Sequence, residues 1–324
     1  MTLAIPNTLG LPSVATLGGE ARSLDDLRSY QEMAAEAGLE FIVLGEGSNI
    51  VAAEEVNAFV CLNRLKGISV VNENAEVSIS VGAGENWHEF VLFCTSSGYY
   101  GLENLALIPG AVGAAPIQNI GAYGVEVASF IKTVEVMDSK GDVFHLDAQA
   151  CEFSYRDSVF KRLRNLTIAS VTFVLSSEYR PVLTYPDIAE RCDEKHHARD
   201  LLETVIDIRR AKLPDPQQVP NAGSFFKNPV VSDALRKEIL TLSPELKSFP
   251  DADGWKLSAA QLIDLAGWKA NPTEKVSCWH NQPLVLTNLG GATSSDVLDF
   301  AEKIQSDIAQ RFQIQLEVEP SLLS

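Results

Sequence analysis

Apolar residues recur along the chain with two different periods. Val77, Ile79 and Val81 alternate with polar neighbours, which predicts a half-buried strand. Residues 41–44, 131–137, 143–146 and 167–175 carry short apolar or β-branched runs and read as further strands. Helical spacing lies between them. Trp87, Phe90, Val91 and Cys94 fall on one helix face with Gly98 beyond its end, so Trp87 is assigned to a core. Residues 23–37 predict another helix, capped by Ser23, favoured at its positive end by Asp25 and Asp26, and stopped by Gly38. Asp147 is placed as the cap of a short helical turn.

The pattern changes after residue 176. A loop over 176–186 holds Pro181, Tyr185 and Pro186, and a helix is expected over 201–212. Pro214, Pro216 and Pro220 make a stiff connection, where a domain boundary is expected. Helices near 232–240 and 258–266 and a strand at 284–287 follow. Ser294 is read as the cap of a long helix with Val297, Ala301, Ile304 and Ile308 in one stripe, and residues 314–319 as the last strand. Short strands and helices in both halves imply an α+β class with two-layer cores.

Residues 101–124 fit neither period. From Asn104 to Val125 no side chain is charged, yet Pro109, Pro116, Gly110, Gly113, Gly121 and Gly124 break any helix. Such a loop lets backbone press closely on a flat or anionic ligand; a buried connection without ligand is the plainer alternative. Two more glycine-bearing loops precede it, at 45–49 and 82–84. The first follows a strand, but the third glycine and the following helix of a dinucleotide fingerprint are missing. Its N–H groups and the Ser48 hydroxyl still suit a pyrophosphate. No Walker pattern occurs. Three such loops suggest one long ligand, such as a dinucleotide.

The chain has 324 residues, 46% of them apolar, consistent with about two domains. Its net charge of −17 disfavours nucleic acid and anionic membranes as partners. An anionic nucleotide would need basic residues gathered locally. Five scattered cysteines without C-x-x-C spacing point to reduced thiols, and adjacent His196 and His197 do not share a helix face, so no metal site is expected. Neither a signal-peptide pattern nor a transmembrane run is visible, which suggests a cytoplasmic protein.

The segment at 101–124 resembles the flavin-binding signature of the UDP-N-acetylenolpyruvoylglucosamine reductases, also called UDP-N-acetylmuramate dehydrogenases, the MurB family. Three further stretches match that family in order: Tyr155-Arg156-Asp157-Ser158, Asn221 to Pro229, and Leu316 to Pro320. The resemblance runs from Gly45 to Glu319; Ala114 and Ala115 stand where some members carry serines. It implies a PCMH-type, vanillyl-alcohol-oxidase-like FAD-binding fold of two α/β subdomains over 15–180. A substrate loop and connecting helix over 181–212 and a smaller α+β substrate-binding domain over 213–324 complete the expected layout. FAD is expected to bind non-covalently, with Gly45, Gly47, Ser48, Asn49, Gly82, Gly84, Pro109, Gly110, Gly113, Ala114, Ala115, Gln118, Asn119, Gly121, Ala122 and Tyr123 as contacts. His88, the nearest candidate for a covalent link, is read as a structural or surface residue.

The implied chemistry is reduction of an enolpyruvyl ether on a UDP-sugar, for peptidoglycan synthesis. NADPH reduces the flavin, and the substrate then takes its place. Arg156 stabilises negative charge on the enolpyruvyl group, Ser224 donates the proton, and Glu319 is the catalytic acid, with Glu317 as the competing carboxylate. Tyr185, in a loop of the type I branch, and Lys212, Asn228 and Gln282 are the implied nucleotide-sugar contacts. Plainer readings stand beside each: an Arg156–Asp157 surface pair, a turn hydroxyl at Ser224, a solvated lysine at a helix end for Lys212. Another flavin oxidase or dehydrogenase of the same fold is the alternative activity, and a non-catalytic nucleotide-binding protein a third. A monomer is expected.

Overall fold

The computed structural model describes residues 1–73 and 76–324. The chain divides into two compact units. Met1–Leu3, Ala15–Gly47 and Asn57–Arg210 form the first; Ala4–Val14, Ser48–Val56 and Ala211–Ser324 form the second. Residues 181–210, the expected substrate loop and most of its connecting helix, thus belong to the first unit, and Pro214 to Pro220 lie within the second.

The first unit is built on a five-stranded antiparallel sheet in the order Val143–Asp147, Ile131–Met137, Thr167–Ser176, Glu76–Gly82, Ile68–Glu73. Val77, Ile79 and Val81 bury their side chains on one face, as alternation requires. The helix Trp87–Ser96 brings Trp87, Phe90, Val91 and Cys94 onto that core. Trp87, Phe90 and Phe173 form a ring cluster with centroids 5.1–6.0 Å apart. Such contacts add about 0.5–1.5 kcal/mol per pair beyond buried area. A second, smaller core lies under the helix Leu24–Glu36, where Leu27 and Ala34 meet Phe59 and Cys61. Ser23 caps this helix by accepting from the Asp26 N–H at 3.1 Å. Asp147 caps the short turn expected after it: its side chain accepts from Ala150 N–H at 2.8 Å and its carbonyl from Cys151 N–H at 3.1 Å. The helix expected to begin at residue 201 starts earlier, as Ala198–Lys212.

The second unit carries two three-stranded sheets, ordered Asn221–Ser224, Gln282–Asn288, Val276–Trp279 and Val230–Val231, Gly254–Leu257, Ser248–Asp251. Helices Asp233–Leu242, Ala259–Leu265 and Ser294–Phe312 cover its core. Two expectations are corrected here. Thr293, not Ser294, caps the long helix, through a reciprocal capping box with Asp296. Residues 314–319 are extended but form no ladder beyond a bridge at Val318; the last strand is Ser321–Leu323, parallel to Ile50–Ala52. Among the described residues no helix is long and apolar enough to cross a membrane.

Candidate active site

Within the first unit, Gly45 and the two later glycine loops meet. Backbone bonds join the second to the third: Val112 N–H to Glu85 oxygen at 2.8 Å, Gly113 N–H to Ala83 oxygen at 2.8 Å, and Trp87 N–H to Gly110 oxygen at 2.9 Å. A Cβ built on Gly113 would lie 2.6 Å from the Ala83 Cβ, and one on Gly45 would lie 2.9 Å from the Ala111 Cβ. The glycines therefore serve loop-to-loop packing. The N–H groups of Gly82, Gly84 and Gly113 bond protein oxygens. Gly110, Gly113, Ala115 and Asn119 are buried, whereas Pro109 is exposed and Ala114, Gln118, Gly121, Ala122 and Tyr123 are half-buried. These accessible residues are uncharged, and the alanines and glycine among them let a flat isoalloxazine ring approach the backbone. Leu107, Asn119 and Tyr123, none of them glycine, hold φ of +57°, +44° and +50° in this one segment. Left-handed non-glycine residues cluster where a site dictates backbone shape.

Arg156 shares this feature, with φ +54°, in a tight turn closed by the Ser154–Asp157 bridge. Its Nη2 donates to the Gly121 carbonyl at 2.7 Å and its Nη1 to the Asn119 carbonyl at 3.4 Å. Asp157 instead pairs with Arg162 at 2.9 Å, so Arg156 is aimed at the flavin loop. Lys161 Nζ donates to the Arg156 carbonyl at 2.8 Å, and the buried Ser158 hydroxyl to the Ile117 carbonyl at 2.6 Å.

Tyr185 opens the short helix Pro186–Ala189 and packs edge-on against Tyr123, with ring centroids 5.0 Å apart. Asn104 fixes this approach by donating to the Tyr123 carbonyl at 2.9 Å and the Val182 carbonyl at 3.0 Å. Burial holds the Arg209 guanidinium below its ordinary range, and a hydrogen bond to Tyr123 opposes that shift. Asn104 and Arg209 were passed over in the sequence; the only signal was a polar residue at the mouth of an uncharged loop and an arginine pair near a helix end. His88 Nδ1 accepts from Leu107 N–H at 3.0 Å, which puts its neutral proton on Nε2. Its pKa is lowered by burial. This histidine holds the loop, in the structural role expected of it.

In the second unit Ser224 and Glu319 lie on paired segments. Glu319 N–H bonds the Phe225 carbonyl at 2.9 Å, and Lys227 N–H bonds the Glu317 carbonyl at 2.9 Å, on either side of the Phe226–Val318 bridge. The strand Asn221–Ser224 bulges against its neighbour: Asn221 pairs with Thr287, but Ser224 with Val285. Gly223 sits in the bulge at φ +71°, and the buried Asn221 caps it by accepting from Gly223 N–H at 2.8 Å. A bulge of this kind re-aims the next side chain, here Ser224. Phe225 and Phe226 are fully buried, which anchors the turn. Glu317 is exposed and ion-paired with Lys227. Asn228 Oδ1 accepts from Ala259 N–H at 3.0 Å, at a helix start. Lys212 and Gln282 both adjoin Trp279: its indole N–H bonds the Lys212 carbonyl at 3.1 Å, and its backbone pairs with Gln282. Ser48 and Asn49 also fall in this unit, where Ser321 N–H bonds the Asn49 carbonyl at 3.0 Å. No cluster able to hold a metal occurs among the described residues.

Residues 20–147 match a family model described as FAD binding domain, and residues 215–323 the UDP-N-acetylenolpyruvoylglucosamine reductase C-terminal domain. A UDP-N-acetylenolpyruvoylglucosamine reductase of Burkholderia lata is 42% identical over 99% of this chain and 95% of its own. One of Burkholderia mallei is 41% identical over 99% and 96%. The crystal structure of the Thermus caldophilus reductase superposes with a TM-score of 0.70 at 23% identity, covering 100% of this chain and 99% of that one, and so shares the fold. With full-length relatives above 40% identity and its C-terminal domain matched by the family's own, the chain belongs to the UDP-N-acetylenolpyruvoylglucosamine reductase family.

Proposed function

We propose that the protein is an FAD-dependent oxidoreductase that reduces the enolpyruvyl group of UDP-N-acetylglucosamine enolpyruvate to UDP-N-acetylmuramate. NADPH is the reductant, and the step serves peptidoglycan synthesis in the cytoplasm. Full-length family membership supports the activity. The observation that carries the residue assignments is the pairing of two segments, one presenting Ser224 from a bulge and the other bearing Glu319.

Bound FAD supplies the hydride chemistry. The accessible, uncharged residues Pro109, Ala114, Gln118, Gly121, Ala122 and Tyr123 would hold it. Arg156 forks onto the substrate carboxylate, where charge develops as the double bond is reduced. Its guanidinium already lies against carbonyl oxygens that fix its direction. The Ser224 hydroxyl donates a proton to the carbon next to that carboxylate, and the Glu319 carboxyl assists as catalytic acid. Tyr185, Lys212, Asn228 and Gln282 bind the nucleotide-sugar; Tyr185, edge-packed on Tyr123 and partly exposed, suits a closing segment. The protein acts as a monomer on this small molecule.

The two half-reactions separate the roles. Purified protein should show a flavin band that NADPH bleaches anaerobically and that enolpyruvyl substrate restores. Ser224→Ala should bleach normally but regain its colour about 10²–10⁴-fold more slowly. Normal recovery in that variant would remove Ser224 from the proton transfer.

A further inference from the structure

We infer that Asn119 is a positioning residue for Arg156: its side chain and carbonyl bind the flavin loop, Glu126 and the Arg156 turn into one rigid unit. The inference rests on the proposed contact between Arg156 and the substrate carboxylate. Asn119 is 1% exposed, and every polar group it owns is engaged. Nδ2 donates to Glu126 Oε2 at 2.8 Å and to the Ser154 carbonyl at 3.0 Å. Oδ1 accepts from Ala128 N–H at 3.0 Å, and the backbone N–H bonds the Pro116 carbonyl at 3.4 Å. Its carbonyl accepts from Arg156 Nη1.

Ser154 is the first residue of the turn whose third, Arg156, takes φ +54°. Asn119 itself takes φ +44°, which turns its carbonyl toward the guanidinium while its amide reaches the base of the same turn. One residue thus holds the turn at its first member, Ser154, and the Arg156 side chain at the guanidinium. The fold alone does not ask for this: Ser158 already ties the turn to Ile117, and Lys161 already ties it at the Arg156 carbonyl. What Asn119 adds is the direction of the guanidinium. The sequence suggested Asn119 as a cofactor contact; its side chain instead faces protein on every side.

A double-mutant cycle tests this on the flavin-loaded protein. Asn119→Ala should keep NADPH bleaching within about threefold of the parent and slow recovery by substrate about 10- to 100-fold, the range for a displaced positioning group. Affinity for UDP-N-acetylmuramate, which carries the carboxylate, should fall about tenfold, while that for UDP-N-acetylglucosamine, which lacks it, stays unchanged. In an Arg156→Ala background the same substitution should change recovery less than about twofold, because both act through one group. Should Asn119→Ala fail to fold, Glu126→Ala, which frees one amide hydrogen, takes its place in the cycle, with the same loss confined to recovery. Normal recovery in Arg156→Ala would sink the role of Arg156 and this inference together. Slow recovery in Arg156→Ala, with an additive effect of Asn119→Ala or one that slows both half-reactions equally, would sink this inference alone.

Discussion

A Cβ built on Gly121 lies 3.0 Å from Arg156 Nη1 and 3.0 Å from the Val125 carbonyl oxygen. The backbone at Gly121 is not left-handed, so alanine there would strain no dihedral. The methyl would push instead on the guanidinium, which donates to the Gly121 carbonyl at 2.7 Å. Gly121→Ala should therefore fold, retain flavin and bleach with NADPH, yet recover with substrate about tenfold more slowly. Equal loss in both half-reactions would show that the methyl disturbs the flavin and not Arg156. The same contact shows where reading by residue type stops. An uncharged glycine loop marked a cofactor site, and that was legible in the chain. That Gly113 is there to admit Ala83 was not, because the two residues meet only after folding. Asn119 was hidden for the same reason, since its partners come from two segments, Glu126 and Ala128 from one and Ser154 from another.

At the scale of elements, periodic segments were legible and irregular ones were not. The strand Ile131–Met137 and the stripe of Val297, Ala301, Ile304 and Ile308 follow from spacing alone, because each residue's burial is set by its own element. Residues 314–319 alternate like a strand, but their partner offers a single bridge at Phe226. The bulge that aims Ser224 left only one trace, a glycine before the serine. The start of the helix Ser294–Phe312 was missed by one residue, since Thr293 and Ser294 are both good caps and only Thr293 has Asp296 three positions on. Thr293 Oγ1 accepts from Asp296 N–H at 3.2 Å and donates to Asp296 Oδ2 at 2.8 Å. Thr293→Ala should cost about 1 kcal/mol, a fall in Tm of about 2–4 °C for a unit of this size. Hydrogen bonds from Lys275 first, then from Thr293, hold the Asp296 carboxyl down at about 2, against 3.8 ordinarily. A depressed folded-state value means that this support is present above 3.8 and is lost as pH falls toward 2. The Tm gap between parent and Thr293→Ala should narrow over that window; a constant gap would show that the carboxylate takes no part.

For the molecule as a whole, the cysteines report on each unit separately. All five are free and buried. Burial pushes the thiols of Cys61, Cys151 and Cys278 up to about 12, and that of Cys94 upward as well. A thiol must ionise to react, so none of these four should be labelled by a disulfide reagent at pH 8 until its unit opens. Cys94 and Cys151 belong to the main core of the first unit, and Cys278 to the core of the second. Labelling in mild denaturant, read residue by residue, then measures the opening of each. Flavin is expected to bind the first unit's loops, and a ligand stabilises the state it binds. Added FAD should slow labelling of Cys94 and Cys151 in apoprotein in proportion to its concentration above Kd. The reference is Cys61, which lies under the helix Leu24–Glu36 in the same unit but in a separate core. If Cys94 and Cys61 are protected equally, the first unit opens as one cooperative body. If Cys94 alone is protected, the sheet carrying the glycine loops opens on its own, and the flavin holds that part shut. Rapid labelling of any cysteine in native protein would contradict the burial on which the scheme depends.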